Sequence, residues 1–235
     1  MDETLVTQLK FPMTFDVQRL KEDLACALKQ NWIAHYNPKD YSGDWNLIAL
    51  MSCGGKQERI EAFPISGMPV LETEVLQQCP YFKEVINSFQ FPKMTARLMR
   101  LQAGAVILPH TDYCLGYEDG VFRIHIPIVT NPDVEFIIAG ERLVMEEGTC
   151  WYINANKEHS VANRGMEDRV HLVIDGQRNE WTDELFFSLA PESHFKRPPV
   201  KLSDSDKRLV LEELRRQDTP VAREMVKKLE AELNS

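Results

Sequence analysis

Positive charge is in short supply in this chain: 27 lysines and arginines face 36 aspartates and glutamates, a formal net charge of -9 over 235 residues. A phosphate backbone needs the reverse, and no Lys/Arg run interleaves with aromatics, so nucleic acid is not an expected partner. No apolar run is long enough to span a bilayer. The acidic start Met1-Asp2-Glu3-Thr4 is not followed by the apolar core of a signal peptide. Cysteine is sparse and odd in number, and Cys26, Cys53, Cys79, Cys114 and Cys150 form no C-x-x-C pair for a zinc clip or redox disulfide. These features predict a soluble protein in the reduced cytoplasm. Repeats and low-complexity segments are missing too.

What remains is enough apolar content, 43% of residues, to bury one substantial core. Phe15, Leu20, Leu24 and Leu28 recur at helical spacing, with Thr14 and Asp16 available as caps, and predict an early amphipathic helix between Thr14 and Gln30. From residue 31 to 80, the apolar run Leu47-Ile48-Ala49-Leu50-Met51 and the breakers Gly54-Gly55, Pro64, Gly67, Pro69 and Pro80 read as strands joined by long loops. Between Thr95 and Ile174, short runs of Val, Ile, Leu and Phe separated by turn formers predict an all-β core of sandwich or jelly-roll type. Beyond Pro191, Arg197-Pro198-Pro199 reads as a linker. Leu209, Leu211 and Leu214 then suggest one helix, and Thr219-Pro220 opens a second. The expected organisation is a main domain over residues 1–190 and a helical appendage over 200–235.

Histidine is scarce as well, six in all, which gives weight to where it falls. His110-Thr111-Asp112 places a histidine and a carboxylate at positions i and i+2, able to bite one metal from a strand end. With a second histidine they could hold Fe(II) on one face and leave positions open for a keto acid and dioxygen. Alone the pair is a weak signal, since surface strand ends imitate it. His159 offers the third ligand. It follows His110 by 49 residues, room for about four strands, one circuit of a jelly roll.

Along Val121–Ile128 the period is two, so Phe122, Ile124, Ile126 and Ile128 share one face while Arg123 and His125 share the other. Arg169-Val170-His171-Leu172-Val173-Ile174 repeats this, with Arg169 and His171 alternating against apolar residues. A buried guanidinium needs an anion, and two of them suit a dicarboxylate. The plainer alternative pairs Arg123 with Glu135 or Asp133, and Arg169 with Asp168 or Glu167. His171 alone reads as a core histidine, and His35 and His194, outside the β core, as ordinary structural residues.

The string Arg97-Leu98-Met99-Arg100-Leu101, Gly104, His110-x-Asp112, Arg123-x-His125-x-Pro127, Gly148, Trp151, His159, Arg169 resembles the aspartyl/asparaginyl β-hydroxylase-like dioxygenases, a group that includes bacterial proline hydroxylases. The resemblance covers about residues 95 to 176. It implies a double-stranded β-helix, a cupin-like jelly roll, mainly β with flanking helices. It further implies His110, Asp112 and His159 as iron ligands, with Arg169, Arg123 and His125 binding 2-oxoglutarate. The implied reaction uses Fe(II), 2-oxoglutarate and O2 to hydroxylate an unactivated C–H bond, releasing succinate and CO2. Some members have glycine where Asp112 stands, so this chain looks like the version with a complete triad. Met99 falls near a serine that assists the keto acid in some members, and the loop Tyr113–Gly120 is longer than in the peptide hydroxylases.

For the prime substrate, a small amino acid or short peptide is expected, with Trp45 (in the stretch Tyr41–Trp45), His171 and Trp181 as its first candidate contacts, although simple packing is their commoner role. Two other classes stay open: a metal-dependent cupin that uses no 2-oxoglutarate, and a non-catalytic metal-binding or assembly protein. Oligomeric state is not readable.

Overall fold

Two antiparallel sheets facing each other organise the main body of the computed structural model, which describes residues 5–197, 203–217 and 219–233. Their strands are β1 (Gln8–Thr14), β2 (Ile33–Ala34), β3 (Tyr41–Ser42), β4 (Trp45–Cys53), β5 (Val70–Glu72), β6 (Lys93–Leu101), β7 (Val106–His110), β8 (Val121–Val129), β9 (Val134–Ile138), β10 (Glu141–Leu143), β11 (Thr149–Ile153), β12 (His159–Asn163) and β13 (Arg169–Gln177). The larger sheet runs β1-β11-β8-β13-β6-β4-β2, with β5 added to β4; the smaller runs β10-β9-β12-β7-β3. This is the jelly roll expected from the strand spacing. Four strands, β8 to β11, separate His110 from His159.

Alternation along the strands sorts the core into two layers. Phe122, Ile124, Ile126 and Ile128 of β8, with Val170, Leu172 and Ile174 of β13, face outward from the jelly roll into a cluster with the helices. These helices are α1 (Val17–Ala27), α2 (Glu74–Gln77), α3 (Pro80–Ser88) and α4 (Glu180–Phe187). The inner layer lies between the sheets and joins Leu47, Met99, Leu101 and Val173 of the larger one to Ile107, Phe136, Ile138 and Val161 of the smaller. The central strands are thus apolar on one face, while their other face mixes apolar and charged residues.

Local signals account for the element ends. Asp16, not Thr14, caps α1, accepting from Arg19 N at 3.1 Å. The stretch 31–80 departs from its expectation of strands and loops: Thr73 caps the short α2, and Pro80, expected as a loop breaker, is the first residue of α3, where its missing N–H costs nothing. Gly148 sits at φ +74°, and a Cβ there would meet the Phe15 carbonyl oxygen at 2.5 Å, so only glycine lets the chain before α1 approach this turn. Pro127 is tolerated in a central strand because the β13–β8 register shifts between Val170 and His171, opposite it.

Glu3–Lys196 forms one compact unit, and a separate helical unit begins at Arg197. In the latter, α5 (Asp204–Gln217) and α6 (Pro220–Leu233) occur where leucine spacing and Thr219-Pro220 predict them. Thr219 Oγ1 accepts from Ala222 N at 3.1 Å, and Arg215 pairs with Glu230 at 2.5 Å. Residues 1–4 and Pro198-Pro199, with the acidic start and the linker read there, lie outside the described residues. Among the described residues no helix is long and apolar enough to cross a membrane.

Candidate metal centre

His110 ends β7 and His159 opens β12, and the two are direct partners in the antiparallel ladder. Their rings lie 4.3 Å apart, centroid to centroid. Asp112 follows in the loop after β7, where its N–H donates to the Ala155 carbonyl at 2.9 Å. One ligand atom from each of the three residues lies within 4.8 Å of the others. His110 Nδ1 sits 2.8 Å from the Leu108 carbonyl oxygen and His159 Nδ1 2.9 Å from that of Lys157. A carbonyl can only accept, so both Nδ1 atoms carry the proton and both Nε2 lone pairs are left for a metal. Two imidazoles and a carboxylate on one face could hold a divalent first-row ion such as Fe(II).

Electrostatics favours the required protonation states. Burial opposes the charge on Asp112, but Arg123 and then the two histidines outweigh it and hold the carboxyl below its usual range. Burial pushes His159 down, towards the neutral form that binds metal.

Arg123 does not pair with Glu135 or Asp133. Its Nη1 donates to Asp112 Oδ2 at 2.8 Å, and its Nε to Asp175 Oδ1 at 2.7 Å. Asp175 also receives Arg97 Nη2, producing a buried alternating chain Arg97–Asp175–Arg123–Asp112. Burial disfavours the Arg123 charge, yet Asp175 and Asp112 more than restore it and raise its pKa. For Arg97, burial prevails over the help from Asp175 and the pKa falls. Arg123 thus reaches the centre already committed to two aspartates, one of them in the triad.

Arg169 is the opposite case. It is only 3% exposed, and neither Asp168 nor Glu167 bonds it. Asp168 instead lies 3.8 Å from Arg100. Arg169 Nη2 donates to His171 Nδ1 at 2.9 Å, its Nε has no hydrogen-bond partner among the described residues, and burial lowers its pKa to about 9. Burial, then Arg169, pushes His171 and His125 well below the ordinary histidine range, so both are neutral. Arg169 shares one cavity with His110, His159, Arg123 and His125. An uncompensated buried guanidinium facing a donor triad fits a carboxylate guest.

The substrate-contact expectations divide. Trp45 lines this cavity and a larger one of about 510 Å³ that opens beyond Asp112. His171 lies behind Arg169, away from the triad, and lines a third cavity. Trp181 is not brought to the site: it packs on α4 with Phe89 and Phe91, centroids 6.4 and 6.1 Å away, in the outer cluster. Its aromatic character belongs to the layer between sheet and helices.

Three contributors were missed by sequence reasoning. His35, expected to be ordinary, stacks on Trp45 at 3.7 Å and lines the 510 Å³ cavity. Burial, then Arg97, lowers its pKa to about 4. Nothing local marks it, because a two-residue strand gives no period. Asp175 and Arg97 had a signal: the inward alternation Arg169, His171, Val173 continues to Asp175, and Arg97 sits two residues before inward Met99.

A profile of the aspartyl/asparaginyl beta-hydroxylase family matches residues 14–179. L-proline cis-4-hydroxylase of Rhizobium meliloti (strain 1021) is 30% identical over 165 residues, 68% of this chain and 57% of that protein. L-proline cis-3-hydroxylase 1 of a Streptomyces species is 27% identical over 200 residues, 79% of this chain and 68% of that protein. The chain therefore spans little more than half the length of the first of these relatives. Among solved structures, a 2OG-Fe(II) oxygenase family oxidoreductase from Burkholderia pseudomallei superposes with a TM-score of 0.49 at 13% identity, covering 74% of this chain and 86% of that one. The profile runs through every strand that carries the triad and Arg169, and the chain belongs to the aspartyl/asparaginyl beta-hydroxylase family.

Proposed function

We propose that the protein is an Fe(II)- and 2-oxoglutarate-dependent dioxygenase that hydroxylates an unactivated C–H bond of an amino acid or an aspartyl/asparaginyl-type residue. The observation that carries this reading is the presence, in one cavity, of His110 and His159 of the His110–Asp112–His159 donor set with a buried Arg169 that has no carboxylate partner among the described residues. In this reading His110, Asp112 and His159 hold the iron. With 2-oxoglutarate and O2, that centre supplies oxidative decarboxylation to succinate and CO2 and delivers one oxygen to substrate. A metal-binding cupin that uses no 2-oxoglutarate, or a non-catalytic assembly protein, has no use for the unpaired arginine.

The chain's own residues divide the work. Arg169 receives the far carboxylate of the cosubstrate as a bidentate fork, and neutral His171 holds that fork in place. Arg123 orients Asp112 and keeps it ionised, so its part is positioning a ligand, and any contact with the cosubstrate would be shared with two aspartates. His125, neutral and inward, lines the space between them. Trp45, with His35 stacked on it, walls the prime-substrate side; the names of the two proline hydroxylases support a small amino acid there. All of these residues lie within Glu3–Lys196, which we take as the catalytic unit, with the later helices as an appendage. The free thiols of Cys53, Cys79 and Cys150 in the interior support a cytoplasmic setting.

The test supplies Fe(II), 2-oxoglutarate and O2 with a panel of amino acids and short peptides, and follows succinate and the mass gain of one oxygen. Succinate coupled to a mass gain is the expected outcome. No succinate with any candidate, together with no anaerobic binding of 2-oxoglutarate to the Fe(II) protein, sinks the reading.

A further inference from the structure

Three cavities adjoin one another in the jelly roll, and their shared walls give the order. The front cavity, about 510 Å³, and the narrow middle one share Trp45, Met99, His110 and Arg123. The middle cavity and a rear one of about 220 Å³ share Phe136 and Arg169. Arg169 is thus a wall of two spaces: one reaches the triad and the other has the exposed Arg142 and Val144 on its rim.

The two approaches to Arg169 differ chemically. From the front, a ligand must pass His110 and Asp112 and then the narrow space walled by the four shared residues. The rear lining holds none of the three donor residues, and its rim carries a cation. Arg142 on the rim donates only to the Pro132 and Val134 carbonyls, at 2.9 and 3.2 Å, while Glu146 is neutralised by Lys10 at 2.7 Å. The rear walls include Leu143 and Met145, which offer a guest no competing hydrogen bonds. His171 steadies Arg169, leaving Phe136, whose ring lies 5.9 Å from the guanidinium carbon, as the part of the partition that must turn aside.

We propose that the rear cavity is a carboxylate portal, through which a small dicarboxylate reaches Arg169 and its shortened product leaves without crossing the His110–Asp112–His159 cluster. The inference rests on the oxygenase reading and adds a route to it. The front mouth then serves the prime substrate alone, and cosubstrate exchange continues while the front is occupied.

The test places bulk on each rim at an exposed residue, where the core is undisturbed: Val144→Trp at the rear (66% exposed) and Phe63→Trp at the front (44% exposed). Stopped-flow absorbance of the anaerobic Fe(II) protein mixed with 2-oxoglutarate gives association, chase with excess succinate gives dissociation, and calorimetry gives the equilibrium constant. Val144→Trp is expected to slow both rates about tenfold with the equilibrium constant unchanged, Val144→Ala to leave them equal or faster, and Phe63→Trp to leave them alone. Unchanged rates in Val144→Trp, or slowing confined to Phe63→Trp, overturns the portal while the oxygenase reading stands. A weaker equilibrium constant without slower association also overturns it, because Val144 would then be touching bound ligand rather than guarding a passage. Wild-type protein that binds no 2-oxoglutarate removes both proposals together.

Discussion

His110 and His159 are cross-strand partners, and each ties its Nδ1 to the carbonyl two residues before it, Leu108 and Lys157 respectively. The same local device on two strands turns both Nε2 atoms towards Asp112. Asp112→Ala removes the only carboxylate of the set while Arg123 keeps its bond to Asp175. Anaerobic titration should show Fe(II) affinity lowered by about 10- to 100-fold or more, with a fold intact by circular dichroism. Wild-type affinity in this variant would place the metal elsewhere.

Arg169 separates stability from function. Its charge is buried without a counter-ion among the described residues, so Arg169→Met should raise stability by about 1–3 kcal/mol in urea unfolding. The same substitution should raise the 2-oxoglutarate requirement steeply and leave Fe(II) binding unchanged. A variant less stable than wild type would mean that the guanidinium has an anionic partner in the free protein.

Buried neutral histidines make acid destabilising. The folded-state pKa values of His125 and His171 lie well below the ordinary histidine value of 6.5, and that of His35 is about 4. Above 6.5 neither state binds these protons, so they contribute nothing. Below it the unfolded chain takes them up and the folded one does not, so stability falls as pH drops, by about 1.4 kcal/mol per pH unit for each histidine. For His35 the loss runs from 6.5 to about 4 and then levels. Thermal melts of the metal-free protein across this range check it, and His35→Phe should flatten the slope.

Asp175 is shared by two buried arginines, Arg97 and Arg123. Asp175→Asn leaves both short of a counter-charge and should cost about 3–5 kcal/mol in denaturant unfolding. The double variant Arg97→Met/Asp175→Asn should recover part of that loss, and a double variant worse than the single one would rule out the charge argument.

Trp45 and Trp181 should behave oppositely. Trp45→Ala, on the cavity wall, should raise KM for the prime substrate. Trp181→Ala should cost about 3 kcal/mol of stability with KM unchanged. Equal effects of the two on KM would contradict the placement of Trp181 in the outer cluster.

Much of this was legible in the chain because β-structure writes itself locally. Period-two alternation in Val121–Ile128 and Arg169–Ile174 separates inward charges from outward aliphatics without knowledge of any neighbour, and Thr219-Pro220 marks a helix start by its own backbone chemistry. Those signals determined the strand layout and the inward arginines, while His110, Asp112 and His159 are candidate ligands by spacing and become a donor set through the family resemblance. The tertiary structure decided which anion meets which cation. Arg123 and Arg169 look alike in sequence, but strand order sets β13 between β8 and β6, so Asp175 lies between Arg97 and Arg123 and pairs with both, while Arg169, at the far end of the same strand, pairs with no carboxylate among the described residues. That difference comes from pairing between strands distant in sequence, which no local periodicity encodes, and it leaves Arg169 free for a ligand.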